Sequence, residues 1–271
     1  MSWRLIEEIN NDVFRNLAID ESLARIMAKQ EEKVNTLRFW RSDSSVVIGR
    51  FQCVHKEVNI AYCQENKIAI SRRFTGGGTV YQDPGNLNFS ISVSKKESYV
   101  PQSLKDIYER FIGSVATSLH SLGISAIYDP VGSCIRIGDM KITGTAGWLK
   151  RRIVFLHGTL LINADLTSLR ESLNPPENQP VYLRDRSRIR CTESKRDIVT
   201  NISTEIVDCP NLVEIKDAIV GSIESVSGQS VVKGELTREE KDTSQVLYQS
   251  RYSKSTWNLG TVSRNLDNPR H

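Results

Sequence analysis

Apolar residues recur along this chain with two periods, and the switches between them mark out the elements. From 16 to 33, Ile19, Leu23, Ile26 and Met27 fall at i, i+4, i+7 and i+8, which predicts a helix with one apolar face. Two strand-like runs follow, Thr36-Leu37-Arg38-Phe39-Trp40 and Ser45-Val46-Val47-Ile48-Gly49, and the turn residues between them predict a hairpin. Residues 56–66 read as a short helix and 68–73 as a strand. Residues 88–93, Asn-Phe-Ser-Ile-Ser-Val, alternate as a half-buried strand does. A long helix opens at Ser103, which forms a capping pattern with Asp106; Ile107, Phe111, Val115, Leu119 and Leu122 line its apolar face, and Gly123 ends it. Cys134–Ile137 and Met140–Thr143 read as strands joined by a tight Gly138-Asp139 turn. Residues 153–163 form a further apolar strand, and a short helix runs from Asp165 to Leu173. The pairs Asn211/Glu214 and Thr237/Glu240 cap two more helices, over 211–226 and from 237 to 250. Hairpins interleaved with helices predict an α+β fold with mixed, largely antiparallel sheets, not a doubly wound parallel one.

Residues 174–200 break both periods. Arg184, Arg186, Arg188, Arg190, Lys195 and Arg196 crowd one polar stretch, which is either a solvated surface loop or a functional one. The sequence has 271 residues, with 39% hydrophobic and 25% charged, which excludes a largely disordered chain. No apolar run reaches the roughly 20 residues that span a bilayer, and the N-terminal stretch lacks the apolar core of a secretion signal. A cytoplasmic location without a membrane partner is expected. The net charge of +4 permits an acidic partner without demanding nucleic acid, and none is expected. Five cysteines without a C-x-x-C pair predict free thiols and no structural zinc, and four scattered histidines predict no metal cluster.

The chemistry concentrates in three segments. Arg72-Arg73-Phe74-Thr75-Gly76-Gly77-Gly78-Thr79-Val80-Tyr81 joins two strands through three glycines. Alone, the triplet reads as a hairpin turn. Bare amides beside arginine also suit an anion such as a phosphate. The second segment, Gly138-Asp139-Met140-Lys141-Ile142-Thr143-Gly144-Thr145-Ala146, sets a lysine before small residues that allow close approach of a ligand. The third is His157-Gly158-Thr159-Leu160-Leu161.

Together these segments resemble the lipoate–protein ligase family of the biotin/lipoate ligase superfamily. Its first pattern is R-R-x-[ST]-G-G-G-[AT]-V-[YF]-H-D-x-G-N, against RRFTGGGTVYQDPGN here; K-[IV]-[ST]-G-[ST]-A and H-G-T-L-L recur at Lys141–Ala146 and His157–Leu161. NLAIDE at Asn16–Glu21, VVIGRFQ at Val46–Gln52, KEVN at Lys56–Asn59, RDIVTNI at Arg196–Ile202 and WNLG at Trp257–Gly260 extend the likeness in order. The resemblance implies a biotin/lipoate ligase-like catalytic domain over 1–260 with a polar tail at 261–271. It implies that lipoate and ATP, with Mg²⁺, form lipoyl-AMP and pyrophosphate, and that a lysine of an acceptor then displaces AMP. Lys141 is implied as the catalytic residue. Arg73, Gly76, Gly77, Gly78, Thr79, Val80 and Tyr81 join it in binding ATP and lipoyl-AMP. Arg72, His157 and Gly144 border the substrate pocket. No metal ligand is implied on the protein. Expected acceptors are the lipoyl domain of a 2-oxoacid dehydrogenase complex or the glycine-cleavage H protein. Single-chain members continue past W-N-x-G into a small domain, whereas this sequence stops eleven residues after Gly260, and the resemblance leaves two readings: a separate small subunit, or a chain that works alone as the shorter transferases do.

Two departures stand out. Gln82 replaces the family histidine, and Ser133-Cys134 stands where the family has an aspartate. Cys134 opens a rival reading, an ATP-independent octanoyl- or lipoyl-transferase with a cysteine nucleophile. A third reading is a non-catalytic lipoate-binding protein, against which the retained Lys141, Arg73 and glycine triplet speak. The glycine–arginine motif of biotin ligases is absent.

Overall fold

The computed structural model describes residues 2–150, 152–183 and 191–262. In chain order the elements are β1 (Trp3–Glu7), α1 (Val13–Lys29), β2 (Thr36–Trp40), β3 (Ser45–Ile48), a 3-10 turn at Val54–Lys56, α2 (Ile60–Glu65), β4 (Ala69–Arg72), β5 (Val80–Gln82) and β6 (Asn86–Ser94). There follow α3 (Leu104–Ser121), β7 (Ala126–Asp129), β8 (Cys134–Ile137), β9 (Met140–Lys141), β10 (Thr143–Lys150), β11 (Ile153–Leu161) and α4 (Leu166–Ser172). The remainder is β12 (Tyr182–Leu183), α5 (Ile202–Glu205), α6 (Leu212–Ser227), β13 (Val231–Lys233), α7 (Arg238–Leu247), α8 (Ser255–Asn258) and β14 (Thr261–Val262).

The main sheet has the order β10-β11-β6-β2-β1-β13, antiparallel except where β1 runs parallel to β2 and β13. Smaller sheets are β4-β3-β5, β7-β8-β9 and β12-β14. This is the mixed, largely antiparallel α+β arrangement that the pattern predicts. The capping expectations also hold: Asn211 and Thr237 each form a reciprocal capping box, and Ser103 caps α3 through the Asp106 amide.

Two expectations fail. The β2 and β3 runs do not form a hairpin, because β2 pairs with β6 in the main sheet while β3 starts the β4-β3-β5 sheet. Short-range turn chemistry lost here to the pairing each strand finds across the fold. The glycine triplet is not a hairpin turn either: β4 and β5 lie on opposite sides of β3. The triplet is a crossover loop over the end of β3.

Strand β6 shows how the main sheet makes both a core and a site. Leu87, Phe89, Ile91 and Val93 pack with α3 and α6 residues such as Phe111, Val115, Ile215 and Ile219. Each such fully buried side chain contributes roughly 1.5–3 kcal/mol. The alternate residues Asn88, Ser90 and Ser92 are buried too, at 2%, 1% and 2% exposure. On their face lies a buried polar network with α1, in which Ser90 donates to Asp20 at 3.0 Å and Asp20 pairs with Arg38 at 2.8 Å.

Candidate active site

Directly opposed residues on neighbouring strands share a face of the sheet. Register therefore gives two rows on the polar face. One is Gly144, Thr159, Asn88 and Trp40; the other is Ala146, His157, Ser90 and Arg38. A slot lies over these rows, lined by Gly144, Thr145, Ala146, His157 and Thr159 from the main sheet and by Val47, Val80 and Gln82 from the small one. Arg73, Leu17 and Trp40 complete it. The slot crosses the strands from the β10 edge inward to β2 and α1. Its width depends on Gly144, where a methyl would come within 2.8 Å of the Val80 side chain. Trp40 is fixed by its indole N–H, which donates to Asp20 Oδ2 at 3.2 Å. Burial raises the Asp20 carboxyl above its ordinary range, and Arg38 opposes that rise.

The glycine loop closes one side of the slot. Gly77 has φ +87°, and a methyl at Gly49 would stand 2.1 Å from the Gly77 carbonyl oxygen, so loop and β3 end fit only without side chains. Arg73 holds the curve. Its Nη2 donates to the carbonyls of Gly76 at 2.6 Å and Gly78 at 2.7 Å, its Nη1 to Val47 at 3.0 Å, and its Nε to Thr75 Oγ1 at 3.1 Å. Burial lowers this guanidinium to about 10. With carbonyls turned to Arg73, the N–H groups of Gly76, Gly77 and Gly78 make no hydrogen bond with described residues. Arg72 points elsewhere: it donates to the carbonyls of Gly49 at 3.0 Å, Gln52 at 2.6 Å and Trp257 at 3.0 Å, and so docks WNLG. Tyr81 faces the opposite side of β5, into a core with Val46, Val54 and Ile68, leaving Val80 for the slot.

Lys141 sits on the edge hairpin, three residues before Gly144. Its backbone is gripped on both sides, N–H to Ile198 oxygen at 2.8 Å and carbonyl from Thr200 N–H at 3.1 Å. Its half-buried side chain makes no hydrogen bond or ion pair with described residues. The carboxylates nearby are already engaged: Arg136 binds Asp129 at 2.9 Å and Asp197 at 2.5 Å. Arg136 holds the Asp129 carboxyl down to about 2. Asp129 thus stands opposite Cys134 on β7, supplying a carboxylate beside the position where the sequence lacks one. Cys134 is fully buried, with its thiol 3.7 Å from Asp129 and pushed up by burial, which is poor for a nucleophile.

His157 lies at the slot floor. Burial drives it down to about 3, and the Arg73 charge adds to the effect, so the imidazole is neutral. Its Nε2 lies 2.8 Å from Thr75 Oγ1, which joins the HGTLL strand to the glycine loop.

The segment after the basic stretch covers the loop. Ser194 Oγ accepts from the Thr79 N–H at 2.8 Å and from Gln52 Nε2 at 2.9 Å, and donates to Glu57. Arg196 lies 3.5 Å from the Glu57 carboxylate. Arg184, Arg186, Arg188 and Arg190 fall outside the described residues. The free-thiol expectation fails for one pair, since Cys53 and Cys191 form a disulfide across 138 positions. The fold brings them together by laying residues 191–194 along the β3 end, with Thr192 N–H on the Phe51 carbonyl at 3.3 Å. A count of cysteines carries no such proximity. Sequence reasoning also missed Leu17, Trp40, Val47, Thr159, Glu57 and Ser194. The polar alternate positions of β6 were the available signal for the slot.

Among the described residues no group of three His, Cys, Asp or Glu is placed to hold a metal ion. Asp129 and Asp197 are both engaged by Arg136.

A narrow slot between the two sheets, lined by Arg73, Gly144 and His157, thus lies between the strands that carry the glycine loop and the strand that follows the lysine hairpin. The chain belongs to the lipoyl protein ligase A/B catalytic domain family, whose model matches residues 12–224. A lipoate protein ligase from Thermoplasma acidophilum, solved with bound lipoic acid, is 28% identical with TM-score 0.80, over 96% of this chain and 100% of that one. A lipoate-protein ligase A solved with ATP is 29% identical with TM-score 0.78, over 96% and 99%. A bipartite lipoate protein ligase from the same archaeon, described with its E2 lipoyl domain, is 29% identical with TM-score 0.78, over 98% and 99%.

Proposed function

We propose that this chain is the catalytic part of an ATP-dependent, AMP-forming lipoate–protein ligase. The carrying observation is the slot that runs from Leu17 and Trp40 to Gly144 on β10, three residues after Lys141, whose side chain makes no hydrogen bond or ion pair with described residues. The lipoyl tail occupies the slot, and its carboxylate lies at the Lys141 end. A carboxylate oxygen attacks the α-phosphorus of ATP, the bond to the β-phosphate oxygen breaks, and pyrophosphate leaves. The ε-amine of an acceptor lysine then attacks the acyl carbon, the C–O bond to AMP breaks, and the amine's proton is lost.

Both steps gather negative charge, and preorganised cations and amides lower its cost. Lys141 supplies the mobile cation in both. The amides of Gly76, Gly77 and Gly78 supply donors for phosphate, and Arg73 acts through them by holding the Gly76 and Gly78 carbonyls turned away. Thr79 joins that row once Ser194 gives up its amide. Val80 and Gly144 shape the slot, His157 keeps its neutral edge, and Arg72 supports the site from behind. Mg²⁺ arrives with ATP as the counter-ion of the substrate. The bound lipoic acid and ATP in the solved relatives support this reading.

The bipartite relative, described with its E2 lipoyl domain, supports a second polypeptide and a lipoyl domain of a 2-oxoacid dehydrogenase complex as partners; a role of that polypeptide in adenylation and the glycine-cleavage H protein as an alternative acceptor rest on the family resemblance alone. Residues up to 260 form the catalytic unit, working in the cytoplasm where ATP and acceptors meet. The test is incubation with ATP, lipoate and an apo lipoyl domain, with and without the second polypeptide. Lipoylation matched by equal AMP and pyrophosphate is expected. Acyl transfer that proceeds without ATP would overturn the reading.

A further inference from the structure

Arg136 and Lys141 stand directly opposite each other on the β8–β9 ladder, so two cations share one face of that small sheet. Like charges placed this way repel, unless one of them is neutralised. Arg136 is the neutralised one. Its Nε donates to Asp129 Oδ2 at 2.9 Å, and its Nη1 and Nη2 donate to the two Asp197 carboxylate oxygens at 3.2 Å and 2.5 Å. Nη1 also donates to the Asp139 carbonyl in the hairpin turn at 2.8 Å. Asp197 belongs to the same face, because Val199, two residues later, bridges Lys141 in parallel. Hydrogen bonds from Arg136 hold the Asp197 carboxyl below its ordinary range, and the Lys141 charge adds to the effect. Lys141 thus has a carboxylate within electrostatic reach but forms no ion pair with it, since the guanidinium takes both oxygens. A planar fork meets a carboxylate at two points, where an ammonium meets it at one.

We propose that Arg136 is a positioning residue that keeps the Lys141 ammonium available to substrate by occupying Asp197. The inference rests on Lys141 being the mobile cation of the proposed reaction. Asp197 is tied to the strand that grips Lys141, since the Lys141 N–H donates to the Ile198 carbonyl at 2.8 Å and its carbonyl accepts from the Thr200 N–H at 3.1 Å. Without the guanidinium, Asp197 therefore stays beside Lys141 with both oxygens open. The ammonium then turns to this carboxylate, and must leave it again before it can meet the substrate's carboxylate or phosphate. Giving up one charged hydrogen bond corresponds to about tenfold or more in rate.

The test compares wild type, Arg136→Gln and Arg136→Gln combined with Asp197→Asn, by pyrophosphate release from ATP and lipoate with the second polypeptide present. Arg136→Gln should slow release about tenfold or more. The double variant restores the local charge of wild type and should recover most of the rate. A merely structural clamp predicts the reverse, because the double variant lacks both halves of it. Arg136→Gln at the wild-type rate, or a double variant no faster than Arg136→Gln, would overturn the proposal. If Arg136→Gln does not fold, Arg136→Lys, which meets Asp197 at one point only, should show a smaller loss with the same recovery. Acetylation of Lys141 by a small activated ester, followed by peptide mass spectrometry, reads the ammonium without ATP or lipoate. It should be slower in Arg136→Gln than in wild type, since a paired ammonium gives up its proton less readily, and restored in the double variant. Equal acetylation in all three would overturn the proposal. The expected order of acetylation with no pyrophosphate release from any of them would support it and overturn only the proposed reaction.

Discussion

The Lys141 ammonium makes no hydrogen bond or ion pair with described residues and acts on Asp197 only at longer range, while Arg38, Arg73 and Arg136 are bound to carboxylates or carbonyls. A cation kept free of internal partners is positioned for a ligand. Lys141→Met should lower both lipoyl-AMP formation and acyl transfer by on the order of 10²–10³-fold. The melting temperature should stay within about 2 °C, because a half-buried side chain without a hydrogen bond or ion pair adds little stability. Pyrophosphate release, transfer from preformed lipoyl-AMP and a thermal melt check the three parts. Cys134→Ala should retain activity, since its thiol is buried and pushed up; loss of acyl transfer in a folded variant would instead favour a thioester route. His157 gives a pH prediction. Its folded value of about 3 lies below the unfolded one of about 6.5, so between them only the unfolded chain takes up a proton. Stability from this group is intact above 6.5 and falls as pH drops towards 3, by about 2 kcal/mol from pH 7 to pH 5. Urea melts at the two pH values should show that loss in wild type and a smaller one in His157→Gln. The chain's text identified Lys141, Arg73 and His157 but not their environments. It could not show that Arg73 spends its donors on glycine carbonyls, because that depends on the loop's path.

At the scale of elements, local pattern was readable and pairing was not. The α3, α6 and α7 boundaries follow from Ser103, Asn211 and Thr237, whose side chains cap their own helices within three residues. The β2–β3 hairpin and the glycine turn were misread because their partners lie far along the chain or on the other side of β3. The segment 191–197 was legible only as polar and basic. Ser194 ties up the Thr79 amide, and the Cys53–Cys191 disulfide anchors the segment beside it. On the proposed reading, a phosphate that takes the Thr79 amide displaces Ser194. Cys191→Ser, or wild type under reducing conditions, should therefore bind ATP several-fold more tightly and exchange its Thr79 amide faster in hydrogen exchange. Unchanged affinity and exchange would show that the segment does not compete with nucleotide.

For the whole molecule, one sheet serves two purposes. Its apolar face builds the core with α3 and α6, and its polar face carries the Asp20–Arg38 pair and the slot on the side of α1. The motif NLAIDE links these. Leu17 lines the slot, Asp20 orients Trp40, and Glu21 accepts from Tyr252 at 2.6 Å, holding the turn that follows α7. Asp20→Ala leaves Arg38 charged and unpaired inside the protein and should cost about 3–5 kcal/mol, measurable by chemical denaturation. Lipoyl-AMP bound to the chain and solved crystallographically is the most direct test of the central claim. The account predicts the dithiolane near Trp40, the phosphate on the amides of Gly76–Gly78, and the Lys141 ammonium at the acyl–phosphate junction. An adenylate bound outside the slot, or Lys141 turned away from that junction, would contradict it.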